Sequence, residues 1–259
     1  TGNVEASGKT IYNDAKKTFG VQTMSDVIQK SLNTGVVFVL KQLGTNPNKI
    51  TKAGKEVFAG YIKKFGFGTT TGIELAGEAN AKVKEPSTYD IDYANMTFGQ
   101  GIAVTSIQMM QAVAAIANGG RLYQPYIIGG TVGKDGQVIP TKPKLVNDRV
   151  ISSQTAAQVA SMMTKVVLYG TAYATKMPGY NIAGKTGTAE IPKPDGTGYY
   201  QDRTIGSFIG FAPVEDPKFI MLVRMDNPKV GGDAEKTAVP AFATVAKALF
   251  RYYQIPPKP

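Results

Sequence analysis

Two short stretches carry side chains able to move protons or grip an anion. Ser31-Leu32-Asn33 offers a hydroxyl that can relay a proton and an amide that can both donate and accept. Lys185-Thr186-Gly187-Thr188, about 150 residues later, offers an amine flanked by two hydroxyls. Read as a strand, Ile182, Gly184, Thr186 and Thr188 alternate with Ala183, Lys185, Gly187 and Ala189, and the glycines allow close backbone approach by a ligand. Thr186, Thr188 and the Lys185 amine then suit a carboxylate. The same region, Gly179 to Thr186, also satisfies Gly-x-x-x-x-Gly-Lys-Ser/Thr, and Phe219 to Asp226 would pass for a strand bearing a Walker-B acid. A phosphate loop, however, needs a strand before it and a helix beginning at its Lys-Thr. Lys176-Met177-Pro178 is a poor strand, and Gly187, Ile191-Pro192 and Pro194 leave no room for a full helix, so a P-loop ATPase is the remote alternative.

Composition limits the chemistry further. The 259 residues contain no Cys and no His, which excludes thiol nucleophiles, Cys-type zinc sites, Ser-His-Asp triads and imidazole bases. Catalysis must run on hydroxyls, amines, carboxylates and amides, and no metal or other cofactor is expected. With 42% apolar residues the chain has material for a substantial core. The formal charge of +10 reads as a generally basic surface, and no base-reading motif accompanies it, so nucleic acid is not an expected partner. The longest apolar runs, such as Gly35 to Leu40 and Phe219 to Val223, fall far short of the roughly 20 residues of a membrane-spanning helix. The opening residues lack the pattern of a signal peptide.

The elements that must position these groups follow from periodicity and caps. The first segment, to about Gly20, reads as irregular structure or short strands without a core face. Thr23-Met24-Ser25-Asp26 resembles a capping box and starts a helix to about Lys30. Ser31 to Gly35 interrupts it, and Val36 to Leu43 suggests a second, largely buried helix. Ala53, Val57, Phe58, Tyr61, Ile62 and Phe65 form an amphipathic pattern that Gly66 can terminate, with lysines mostly on the wet side. Residues 69–100 read as loops and strand fragments. Thr105 caps a helix ending at Asn118-Gly119-Gly120, and a further helix runs from Ser153 to Val167. Asn181–Ile191, Thr204–Val214 and Phe219–Asp226 read as an antiparallel meander, Val239–Tyr253 as a closing helix, and Ile255 to Pro259 as a tail. The expected class is α+β, with helices beside an antiparallel sheet.

Together these stretches resemble the transpeptidase domain of penicillin-binding proteins, whose signature is Ser-x-x-Lys, a Ser-x-Asn motif and Lys-Thr-Gly. Ser31-Leu32-Asn33 and Lys185-Thr186-Gly187 match the second and third. The class B, monofunctional branch is similar through Phe65 to Gly68 with Thr71-Gly72-Ile73, Phe98 to Ile102, Ala115 to Gly120, Lys185 to Glu190 and Ser207 to Pro213. The resemblance implies a helical lobe over about residues 20–175, a sheet with a C-terminal helix packed on it over about 180–254, and a fold incomplete at its N-terminal side. By resemblance Ser31 shuttles protons, Asn33 orients the donor amide and Lys185 adds positive charge. Thr186, Gly187 and Thr188 line the carboxylate site, and the Thr188 backbone N–H is one oxyanion donor.

No serine has a lysine three residues later, so the nucleophile motif is absent; Ser161 with Lys165 has the wrong spacing. A piece of a normal enzyme is favoured over a natural relative that lost its nucleophile, because Ser31, Asn33, Lys185, Thr186 and Thr188 stay together. In the family's sheet of five strands, the earlier strands and the nucleophile helix would then be missing, leaving a gap. The implied function is D,D-transpeptidation of peptidoglycan stem peptides by serine acyl transfer, with β-lactams as ligands of the intact enzyme. Membrane cell-wall synthesis proteins and the missing N-terminal part are the implied partners. The implied location is the extracytoplasmic face of the bacterial membrane. An inactive scaffold or a β-lactam sensor is the alternative.

Overall fold

A computed structural model of the chain describes residues 2–80, 82–229 and 232–258. Thr1 in the opening segment, Ala81 in the stretch read as loops, and Pro259 in the tail lie outside the described residues. The chain opens with a hairpin of β1 (Asn3–Ala6) and β2 (Lys9–Tyr12), whose two-residue turn places Ser7 at φ 50° and Gly8 at φ 71°. This segment does have a core face: Ala6 and Ile11 are buried against Val37 and Leu40. One residue per strand was too little alternation to read.

Helix α1 (Met24–Gln29) starts at the capping box, in which Thr23 and Asp26 bond reciprocally. Helix α2 (Asn33–Gln42) follows after only a three-residue break, so Thr34 and Gly35 are helical rather than part of an interruption. Its N-terminus is capped from a distance: the Asn13 side-chain oxygen accepts from the Thr34 N–H at 3.1 Å and its hydroxyl at 3.0 Å. Nor is α2 largely buried, since Val37 and Leu40 face the core while Phe38 and Val39 are exposed.

In α3 (Lys52–Lys64), Gly54, Lys55, Ala59 and Ile62 are buried and Val57 and Tyr61 are exposed, which rotates the expected face. Lys55 can face inward because its amine meets Asp90 at 2.9 Å and the Thr88 carbonyl at 2.8 Å. Within the stretch read as loops lies α4 (Asp90–Thr97), with Tyr93, Ala94 and Met96 buried. It has no side-chain N-cap and includes two Asp and β-branched Ile91 and Thr97, so burial rather than propensity makes it a helix.

Helix α5 (Ser106–Ala117) begins at the Thr105–Gln108 capping box, and α6 (Ser153–Tyr169) at Ser152. Two ribbons lie between them, β3 (Leu122–Tyr123) with β6 (Leu145–Asn147) and β4 (Gly130–Val132) with β5 (Val138–Pro140). The main sheet is an antiparallel meander in the order β7 (Ala183–Pro192), β8 (Tyr199–Ala212), β9 (Phe219–Asp226). It has three strands among the described residues, where the resemblance implies five. Helix α7 (Ala238–Tyr252) covers one face through Val239, Phe242, Ala246 and Phe250, packed on Ile182, Phe208 and Ala212. Helices α5 and α6 cover the other, with Val113, Ala160 and Met163 on Ala183, Ile209 and Phe211. The molecule is therefore α+β, with helices on both sides of the sheet that carries Lys185.

Phe242 is fully buried and meets Phe208 edge-on at 4.7 Å, and Phe208 is the register partner of Thr186. Phe242→Ala is expected to lower unfolding free energy by about 3–5 kcal/mol, read by urea denaturation.

Candidate active site

Lys185 lies on edge strand β7, paired in register with Ile209. Gly184, just before it, is held to glycine by close packing: a Cβ there would stand 2.3 Å from the Phe208 ring. The Lys185 amine donates to Ser31 Oγ at 2.9 Å, to the Thr186 carbonyl at 2.9 Å and to Thr186 Oγ1 at 3.4 Å. Burial pushes its pKa down to about 8, against the pull of the Glu235 carboxylate in the opposite direction.

Ser31 is delivered by a helix cap. The Leu32 N–H bonds the Val27 carbonyl at 2.9 Å and the Ser31 N–H bonds the Ile28 carbonyl at 3.3 Å, the Schellman arrangement, with Leu32 and Val27 both buried. Ser31 takes the left-handed position at φ 54°. The same cap closes α3 and α5 with Gly66 and Gly119, the residue this position favours. The α1 terminus is in turn seated on the end of α6. Gln29 Nε2 donates to the Tyr169 carbonyl at 3.2 Å, and a Cβ on Gly170 would stand 2.6 Å from the Gln29 carbonyl oxygen. Helix α6 packs on β7 as well, so one helix sets the distance between Ser31 and Lys185.

The remaining predicted residues are placed less uniformly. Thr186 Oγ1 lies 2.7 Å from the Thr171 hydroxyl. The Gly187 carbonyl accepts from Ser207 Oγ at 3.3 Å. Thr188 is exposed, and its Oγ1 accepts from the Ala234 N–H at 3.4 Å, which ties β7 to the loop between β9 and α7. Asn33 sits in the first turn of α2 and spends its amide on the Tyr12 carbonyl at 3.0 Å rather than on Ser31 or Lys185. Ser161 and Lys165 line a separate groove of about 490 Å³ with Asn181 and Glu215. Two residues escaped sequence reasoning: Thr171, which belongs to no motif, and Glu235, an exposed acid in a loop. The P-loop reading is overturned, because Lys185 and Thr186 are inside a strand paired with β8 and no helix begins there. Among the described residues no cluster of acidic or other ligating side chains could hold a metal, and no helix is long and apolar enough to cross a membrane.

Comparison with known proteins assigns the family. A family model for the penicillin binding protein transpeptidase domain matches residues 2–248, and the chain belongs to that family, in its class B branch. Stage V sporulation protein D of Bacillus subtilis is 37% identical over 230 residues, which are 88% of this chain and 34% of that protein. A peptidoglycan D,D-transpeptidase FtsI homolog of Mesostigma viride is 31% identical over 252 residues, covering 90% of this chain and 40% of that protein. Penicillin binding protein 3 of Mycobacterium tuberculosis, solved in complex with ampicillin, superposes with a TM-score of 0.85 at 31% identity, covering 100% of this chain and 57% of the other. The chain thus spans well under half the length of these curated relatives.

Two outcomes are expected from this geometry. Lys185 titrates near 8 when folded, below the ordinary 10.5, so the unfolded chain binds more protons between these values. Its contribution to stability therefore rises with pH across that window and is constant below it. Denaturation of wild type against Lys185→Met from pH 7 to 10.5 should show that difference. Ser31→Gly relieves about 1 kcal/mol of left-handed strain but gives up the hydroxyl acceptor of Lys185, so the Lys185 midpoint should fall and the gain in stability should show above that midpoint and be offset below it.

Proposed function

We propose that this chain is the part of a peptidoglycan D,D-transpeptidase that binds the donor stem peptide and carries its proton relay, and that the nucleophilic serine lies outside these 259 residues. The observation that carries the reading is the 2.9 Å contact between Lys185 Nζ and Ser31 Oγ, two groups 154 residues apart in sequence. In the reaction, the serine hydroxyl attacks the D-Ala-D-Ala carbonyl, the peptide C–N bond breaks, and D-Ala leaves with a proton on its nitrogen. An amine from a neighbouring stem then displaces the serine oxygen and forms the cross-link.

Ser31 hands the proton to the leaving nitrogen and is replenished from Lys185, and the proton released by the attacking hydroxyl restores the relay, so that one proton passes in net from nucleophile to leaving group. An amine held near pKa 8 is well matched to that task, since both protonation states are populated around neutral pH. In its charged form it also draws in the substrate carboxylate, which the Thr186 and Thr188 hydroxyls bind beside Gly187. The Thr188 backbone N–H stabilises the tetrahedral oxyanion, with the second donor supplied by the nucleophile's own backbone. Asn33 orients the donor amide once it exchanges its Tyr12 partner for substrate. β-Lactams occupy the same positions as mimics of the donor dipeptide, and the reaction takes place outside the cytoplasm on the cell wall, alongside membrane-bound wall-synthesis proteins. No cofactor takes part.

The test is labelling with a fluorescent penicillin followed by intact mass, on this chain and on the longer protein encoded with its upstream sequence. One penicilloyl adduct is expected on the longer protein and none on this chain. Ser31→Ala in the longer protein should slow acylation by about 10²- to 10⁴-fold. An unlabelled longer protein would replace the enzyme reading with that of an inactive scaffold. An adduct on this chain would place the nucleophile within it.

A further inference from the structure

Thr171 stands in no motif, yet it is bonded into the Lys185 site. It follows Gly170 at the end of α6, ahead of the 3-10 turn Tyr173–Thr175, and its hydroxyl meets Thr186 Oγ1 at 2.7 Å. A threonine hydroxyl has one proton and two lone pairs. Thr186 Oγ1 already accepts from the Lys185 amine, at 3.4 Å. Its proton and its remaining lone pair are then shared between Thr171 and whatever binds against β7. Thr171 can serve either way, because its own hydroxyl both donates and accepts.

We propose that Thr171 is a positioning residue: it holds the Thr186 hydroxyl with a lone pair toward Lys185, and it reverses its hydrogen bond so that Thr186 can donate to a substrate carboxylate. The assignment rests on the carboxylate role given to Thr186 above. Without ligand, Thr186 donates to Thr171 and accepts from Lys185. When a carboxylate arrives, the Thr186 proton turns to it and Thr171 donates to the vacated lone pair. Neither state leaves Thr186 unsatisfied, which is what a half-buried hydroxyl requires. The arrangement also makes the charged amine of Lys185 sensitive to residue 171, which it does not touch. Of the charged groups on the surrounding elements, Glu235 acts on Lys185 directly. Asp233 is paired with Lys236 in the same loop, and Lys30 with Asp26 on α1.

The test reads the Lys185 amine in the ligand-free chain, by NMR titration of [13Cε]lysine with the resonance assigned through Lys185→Arg. Thr171→Val should lower the Lys185 midpoint by about half a pH unit, because the Thr186 lone pair is no longer held toward the ammonium. Thr171→Ser should restore it. Thr186→Val should lower the midpoint on its own account and make Thr171→Val silent when the two are combined. A role confined to packing would cost Thr171→Val thermal stability and leave the midpoint where it was, and that result overturns the proposal. If Thr171→Val does not fold, Thr171→Ala and the Thr186→Val pair give the same reading. Titration with N-acetyl-D-Ala-D-Ala separates the two levels of inference. Absence of dipeptide binding with the midpoint shift intact would count against the transpeptidase reading, and an unchanged midpoint with dipeptide binding intact would count against Thr171 alone.

Discussion

A cation on an edge strand, half buried and with no carboxylate at ion-pair distance among the described residues, has to be solvated by neutral oxygens. For Lys185 these are Ser31 Oγ, the Thr186 carbonyl and Thr186 Oγ1. The choice of neutral partners has a chemical consequence. A carboxylate in contact would hold the proton firmly on the amine; here burial lowers the pKa to about 8. The more distant Glu235 tempers that fall without reversing it. The proposed proton relay would require Ser31 to stay in place and acids to stay one step away.

Helix α6 is the element that reconciles these demands. It lies on the sheet through Ala160 and Met163, it seats the end of α1 at Gly170, and the residue after Gly170 reaches Thr186. Three contacts from one rigid segment fix the amine, its hydroxyl acceptor and the neighbouring threonine relative to one another. The opposite face of the sheet is stiffened by Phe208 and Phe242, so β7 is backed by aromatic packing although among the described residues it has a strand on one side only. Precision at an edge strand has to come from the layers above and below it, since no second strand supplies it.

Much of this was legible in residue order because it is local. The three main strands, the capping box at Thr23, the cap at Thr105 and the left-handed glycine caps each depend on neighbours within a few positions. The Lys185 motif could be separated from a phosphate loop by its flanks alone, since Pro178 disfavours the strand before it and Pro192 and Pro194 leave no room for the helix that such a loop requires. What escaped depends on distant partners. Helix α4 has weak helix formers and no cap, and it exists because Tyr93 and Ala94 are buried by other segments. Lys55 turns inward because Asp90 and the Thr88 carbonyl await it. Asn13 caps a helix that begins 20 residues later. Thr171 acquires its meaning only when α6 is laid along β7.

Ser31 shows how such a site can be recognised where neither strain nor contact would suffice alone. Its left-handed backbone costs about 1 kcal/mol relative to glycine, an appreciable share of a net stability of about 5–15 kcal/mol. Strain by itself is not diagnostic, for Gln254 occupies the equivalent position after α7 and touches nothing of the site. Nor is a serine near a lysine unusual on a protein surface. Among the described residues, a left-handed serine hydrogen-bonded to a lysine amine is found at residue 31, where stability alone would select the glycine found after α3 and α5. The residue present instead trades that stability for a hydroxyl 2.9 Å from a partly desolvated amine. A cost in folding located at a point of chemical contact is the physical ground for the relay role proposed for Ser31.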